Sequence, residues 1–400
     1  MKNLRLFSSL FLALVLSAAG FAAADDKGPG TYFVPTTGTA NVVDAQSNRV
    51  GCVRRTVAFL GGSITEMHGF RPRVMTALRA RYPEIDFVEI AAGLSSTCSD
   101  AGACRLQRDV LAHGVPDLFV VEEAVNDDQD GHFDTTHARR GLEGIVRQVK
   151  EANPACAVVV GLLVNRGQYA TLLKGETPIQ YAAHAEVARH YGAAVADVGS
   201  ALAASAKAGG FAWEGYRDCH PSPEGCDFAA EVVLKAIETV FDPRKTPVAS
   251  ALPAPLDAAS YFGVRELPLA EVSCGGNWQV SCPNWKEIAG SKRGYCTVGE
   301  ALWTETADAE CSFAFTGTMV GALLTAGPDA GDLEVSVDGG AWVRQPLRAN
   351  YGSLHYPYLH VLAEGLPAGA HRIRLKSVPA VRRDKTGSAV RINRLYGNGR

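Results

Sequence analysis

Val57-Ala58-Phe59-Leu60-Gly61-Gly62-Ser63-Ile64-Thr65 decides the reading of this 400-residue chain. Its first four residues form a short apolar run of the buried-strand type, and the two glycines permit a tight exit into a turn that displays Ser63. The next stretch, GFRPRVMTALRAR over residues 69–81, reads as a helix. Ser63 thus falls between a strand end and a helix start, where backbone N–H groups are free to face a developing negative charge. That is an address for a nucleophile, although Gly-Gly-Ser taken alone fits a simple helix cap equally well.

Outward from this stretch, apolar runs at 57–60, 87–90, 118–121 and 157–164, with a weaker one at 193–198, alternate with helix-like stretches near 70–81, 102–112, 139–151, 180–191 and 223–241. Such alternation predicts an α/β fold, a parallel sheet covered by helices on both faces. Ligands of these folds bind outside the carboxyl ends of the strands. Gly93, Asn126 and His220 each follow a strand or a less regular segment leading to the same rim. With Ser63 they supply what acyl transfer needs: a nucleophile, oxyanion donors and a base.

The order of these residues resembles the SGNH, or GDSL-like, serine hydrolases. Gly61-Gly62-Ser63-Ile64-Thr65 is similar to the nucleophile block, with Gly62 where the usual pattern has aspartate. Gly93 matches the glycine block, Val125-Asn126-Asp127 the asparagine block, and His220-Pro221-Ser222-Pro223-Glu224-Gly225 the histidine block. The resemblance covers about residues 53–243 and implies a flavodoxin-like sheet. It also implies Ser63 as nucleophile, His220 as base and then acid, and Ser63, Gly93 and Asn126 as the oxyanion hole. The family's aspartate, three residues before the histidine, is replaced by Arg217, so Asp218 is the expected third member of the triad, with a backbone carbonyl or Glu214 as alternatives. Arg217 and Asn165 are expected near substrate. Glu122 and Glu123, flanked by an apolar strand, need partners if buried, and Arg105, Arg108 or Arg139 is the expected cation.

Residues 1–24 read as a secretory signal peptide: Lys2 and Arg5, a short apolar run, then Ala22-Ala23-Ala24. The run is too short for a membrane span, and the location expected is secreted or periplasmic. In an oxidising compartment the ten cysteines become disulfide partners. Cys98 with Cys104, Cys219 with Cys226 and Cys274 with Cys282 are the close pairs, with connectivity open. No compact Cys/His group argues for a metal, and no cofactor is expected. The formal charge of −3 is mild and interspersed, which excludes a polyanion-binding surface and with it nucleic acid.

The expected catalytic domain with its leader runs over 25–245, and the Pro- and Ala-rich 246–260 is a linker or surface strap. Over 261–400 the period changes to two. Runs at 312–324, 333–337, 358–362, 371–378 and 389–395, with the Asp338-Gly339 hairpin signal, predict an antiparallel, jelly-roll-like β-sandwich. It resembles the carbohydrate-binding-like modules of extracellular glycan-active enzymes. Its aromatic residues, with Tyr356 in the 351–358 segment nearest the expected rim, are candidate sugar contacts. The function expected is removal of O-acetyl groups from a polysaccharide or oligosaccharide. A lipase or lysophospholipase, a sugar O-acyltransferase, and a glycan-binding protein on an idle scaffold are the alternatives; the oligomeric state is not legible.

Overall fold

Five parallel strands carry the site: β2 (Val53–Gly61), β3 (Ile85–Gly93), β4 (Leu118–Glu122), β5 (Ala157–Leu162) and β6 (Ala194–Asp197), preceded by β1 (Asn41–Val43), which pairs antiparallel with β3. The computed structural model describes residues 41–43, 52–275, 277–348, 350–381 and 387–399; the expected signal peptide lies outside the described residues. The strand order is β1-β3-β2-β4-β5-β6. Counting only the parallel strands, this is the 2-1-3-4-5 order of doubly wound flavodoxin-like sheets, whose switch point falls between the strands here called β2 and β4. Register aligns their ends: Gly61 lies opposite Gly93 on one side and opposite Glu122 on the other. The chain leaves all three strands at one level.

The alternation of β2 explains the two covered faces. Ala58 and Leu60 point into one core with residues of α3 (Ser99–Leu106), α5 (Thr135–Ala152) and α7 (Ile179–His190). Val57 and Phe59 point into the other, with α2 (Phe70–Arg81), α8 (Val198–Lys207) and α10 (Pro223–Val240). The remaining α-helices among the described residues are α1 (Ser63–Glu66), α4 (Ala124–Gln129), α6 (Arg166–Leu173) and α9 (Trp213–Tyr216).

Beyond α10 the chain forms two facing sheets. One runs Ser291–Lys292, Leu354–Ala363, Val320–Ala326, Val390–Gly397, Ala301–Thr304 and Gln279–Ser281, with Arg265–Leu267 beside Val390–Gly397. The other runs Val343–Gln345, Asp332–Val337, Gly369–Val378, Glu310–Gly317 and Ser273–Cys274. All strand pairs are antiparallel except Ser291–Lys292 with Leu354–Ala363, so the sheet is mixed rather than purely antiparallel. The single run expected over 312–324 is two strands, Glu310–Gly317 and Val320–Ala326, separated by Thr318 and Met319 and placed in different sheets. Asp338 and Gly339 adopt φ of 52° and 77° and close the expected hairpin.

The expected linker is a strap bound to α5. Glu143 is fully buried and accepts from Leu256 N–H (2.5 Å), Asp257 N–H (3.0 Å), Ser260 Oγ–H (2.6 Å) and Tyr191 Oη–H (2.8 Å). Four donors compensate the desolvation of the carboxylate. Past the strap, Tyr261, Met319, Leu323, Leu359 and Tyr396 pack into the α3–α5 core, so the two domains share apolar contact.

Two expectations are corrected here. All ten cysteines are unpaired. Cys98 and Cys104 stand at the cap and in the body of α3, six residues or about 9 Å of helical rise apart, beyond the reach of a disulfide. Cys226 donates to Pro221 O (3.5 Å), and Cys274 lies across the strand pair from Cys311 rather than beside Cys282. The aromatic residues proposed for sugar are mostly core: Trp278, Trp285, Tyr356 and Tyr358 are buried.

Candidate active site

Ser63 is the first residue of α1, half-buried at the end of β2, with Gly62 as the cap. His220 comes from the loop between α9 and α10. That loop is held at both ends: Ser222 caps α10 by accepting from Gly225 N–H (2.9 Å), donates Oγ–H to Gly215 O (2.6 Å), and donates N–H to Tyr216 O (3.0 Å). The result places His220 Nε2 at 2.7 Å from Ser63 Oγ, 157 residues away in sequence. A neutral imidazole protonated at Nδ1 accepts the serine proton at Nε2, which is the geometry of a nucleophile and its base.

Gly93 and Asn126 arrive at the same place. A Cβ on Gly93 would lie 2.2 Å from Glu66 N and 2.6 Å from Thr65 C, both backbone atoms of α1, so only glycine lets β3 approach the serine turn this closely. A Cβ on Gly62 would lie 2.1 Å from Asn126 Oδ1. The Asn126 amide therefore sits against the residue before the serine, and glycine at 62 in place of the family's aspartate makes room for it. Asn126 is buried and donates Nδ2–H to Asp130 Oδ2 (2.7 Å), which leaves its second amide hydrogen for another acceptor.

Arg105 supports both strand ends from behind. Its guanidinium, 1 % exposed, donates to Gly61 O (2.9 Å) and Ala92 O (2.7 Å), and pairs with Asp109 (3.2 Å) and Glu123 (4.0 Å). Arg105 is thus the cation for Glu123, whereas Arg108 pairs with Asp109 and Glu266, and Arg139 with Glu186. Glu122 has no cation partner among the described residues: burial raises its carboxyl to about 8, against the Thr65 hydroxyl contact at 3.4 Å and with help from Asp127. The folded protein then keeps a proton that the unfolded chain releases near 4.5, so stability falls as pH rises from there to about 8. Glu122→Gln is expected to flatten the fall of the thermal midpoint across that window; an unchanged slope contradicts the assignment.

The other expected site residues fare differently. Asp218 is exposed, and its Oδ1 accepts from Cys219 N–H (2.6 Å) rather than from the imidazole. His220 Nδ1 instead faces Cys219 Sγ at 3.6 Å. The Asp218 carboxylate still lies within 4.8 Å of a ring nitrogen. Arg217, at a left-handed φ of 84°, is exposed three residues before His220. Asn165 is a helix cap: it accepts from Gln168 N–H (2.9 Å), completes a capping box, and donates to Asp128 (2.7 Å). Its oxygen serves the cap and one amide hydrogen serves Asp128, which leaves the second amide hydrogen for another acceptor. Tyr356 is corrected: it is 2 % exposed and its hydroxyl accepts from Asn350 N–H (2.9 Å). Asp130 was not legible as a site residue, because it lies in no recognisable block, whereas Tyr351 opens the 351–358 segment expected near the rim. A cavity of about 570 Å³ lined by Asn284, Trp303, Glu305 and Asp329 belongs to the second domain and holds none of the residues around Ser63.

Residues 59–228 match the GDSL-like Lipase/Acylhydrolase family. Among solved structures, the chain is similar to a two-domain esterase (CEX) active on acetylated mannans, at 22 % identity over 86 % of this chain and 91 % of that one, with a TM-score of 0.68. The same esterase co-crystallised with mannopentaose matches at 23 % identity over 86 % and 90 %, with a TM-score of 0.67. At these identities the likeness concerns the fold, and it spans both domains. No curated protein matches the chain.

Proposed function

We propose that the protein, whose residues 59–228 match the GDSL-like Lipase/Acylhydrolase family, is an exported serine esterase that removes O-acetyl groups from a polysaccharide or oligosaccharide. The observation that carries the reading is the 2.7 Å contact of Ser63 Oγ with His220 Nε2 beside the sheet's switch point. Ser63 Oγ attacks the acetyl carbonyl as His220 takes its proton. Ser63 N–H, Gly93 N–H and Asn126 Nδ2–H receive the oxyanion. His220 then protonates the sugar alkoxide as it leaves, and water, deprotonated by the same imidazole, releases acetate from Ser63. The glycan part draws on the two-domain likeness to an esterase of acetylated mannans. Export rests on the residues read as a signal peptide; no described helix is long and apolar enough to cross a membrane.

The test is acetate release from acetylated mannan, xylan and bacterial polysaccharides, beside short and long aryl esters. Release from a polymer and preference for the short ester are expected; long-chain preference without polymer deacetylation contradicts the reading. Asp218 acts here as a nearby charge on the imidazolium. Asp218→Ala is accordingly expected to lower kcat by about 10- to 100-fold, well short of the roughly 10⁴ seen when a hydrogen-bonded triad aspartate is lost. A loss of the full 10⁴ shows that Asp218 closes onto the ring during turnover.

A further inference from the structure

The segment joining Val343–Gln345 to Leu354–Ala363 in the β-sandwich leaves its own domain and reaches α4. Tyr351 Oη–H donates to Asp130 Oδ1, whose other oxygen, Oδ2, accepts from Asn126 Nδ2 at 2.7 Å. Asn350 Nδ2–H donates to Asp130 O (3.1 Å). A second connection runs alongside. Arg348 lies over the rings of Phe133 (5.6 Å) and Tyr358 (5.2 Å) and donates to Cys98 Sγ (3.5 Å), and the Cys98 thiol donates to Asn126 O (3.3 Å). Both the amide and the carbonyl of Asn126 are therefore reached from the second domain through one intermediary each.

The chemistry of Asp130 gives this chain a purpose. A carboxylate only accepts, so it fixes which end of the Asn126 amide faces it: the nitrogen must, and the oxygen must turn toward Gly62. The Asn126 oxygen finds no donor there, so nothing else in the described surroundings holds the amide against a flip. Asp130 itself is buried, and with Tyr351 bound it is fixed by a donor on each carboxylate oxygen. Burial and the Asp130 charge push the Tyr351 phenol well above its ordinary range, so it stays a donor.

We propose that Tyr351 is a positioning residue for catalysis: the appended β-sandwich, through Tyr351 and Asp130, holds the Asn126 amide in the orientation that serves the oxyanion. The inference rests on the esterase reading above and gives the second domain a part in the chemical step, separate from any grip on sugar.

The experiment compares wild type, Tyr351→Phe, Asn126→Ala and the double variant on an aryl acetate and on an acetylated polysaccharide. Phenylalanine keeps the edge-to-face packing on Tyr356, at 4.8 Å between centroids, and removes only the hydroxyl. The expected result is a fall in kcat of about tenfold on both substrates with KM unchanged, and no further fall when Tyr351→Phe is added to Asn126→Ala. A rise in KM confined to the polymer overturns the inference, since it marks a sugar contact, and so does unchanged kcat in an active enzyme. Equal and additive losses in both backgrounds overturn it as well. Wild type inert toward every ester sinks the esterase reading and this inference together, an outcome distinct from the other three.

Discussion

Replacing Ser63 by alanine is expected to lower kcat on an aryl acetate by roughly 10⁴- to 10⁶-fold. Among the described residues Ser63 Oγ hydrogen-bonds with His220 Nε2 alone, so alanine removes the proposed nucleophile and little else. Ser63 is half-buried at the first position of α1, and its backbone N–H remains in place. The thermal midpoint should therefore move by no more than about 2 °C. His220→Ala is expected to match the loss, and the double variant to be no worse than either single one, because nucleophile and base act as a unit. Titration of the thermal midpoint alongside steady-state rates checks this. A Ser63→Ala enzyme within tenfold of wild type would mean that another group attacks the ester.

The second large effect is at Asn126. Its replacement by alanine should cost on the order of 10²- to 10³-fold in kcat, the loss expected for one preorganised oxyanion donor if Asn126 has the proposed role, with KM little changed. The residue is buried, and its removal also leaves Asp130 facing Tyr351 alone, so some loss of stability accompanies the kinetic effect. The ratio of kcat to KM effects separates the two contributions, since a folding defect lowers the active fraction without changing KM or the ratio of rates on different esters. A KM effect without loss of kcat contradicts the role given to the amide.

Local signals were strong in the catalytic domain. The helix expected over the 69–81 run is α2, which starts one residue later at Phe70 with Gly69 as its cap; its apolar spacing is a local signal. The strands came from short apolar runs, and their ends located Ser63, Gly93 and Asn126, which the register then set level. His220 required the resemblance to a family, since a histidine after an irregular loop carries no period. The orientation of its ring was beyond sequence: a one-residue shift of the acid from position 217 to 218 turned the carboxylate toward Cys219 N–H.

What stayed hidden depended on contacts between distant segments. Arg105 was legible as a partner for a buried glutamate, but not as the group that joins the carbonyls of Gly61 and Ala92. The 351–358 segment was expected near the rim, and only its first residue goes there, while Tyr356 and Tyr358 turn into the sandwich. A period of two assigns alternate residues to a face; it says nothing of which domain covers the loop before the strand. The cysteine spacings misled for the same reason, since closeness along the chain ignored the intervening helix in α3 and the strand opposite Cys274.

The most direct test of the account is peptide mapping by mass spectrometry after a rapid acid quench of the enzyme with a short aryl acetate. One acetyl group on the peptide containing Ser63, absent from Ser63→Ala and accumulating in a burst before steady acetate release, is the predicted result. An acetyl group on any other residue, or steady hydrolysis by the wild type with no acylated peptide at any quench time, contradicts the Ser63 acyl-enzyme on which the rest depends.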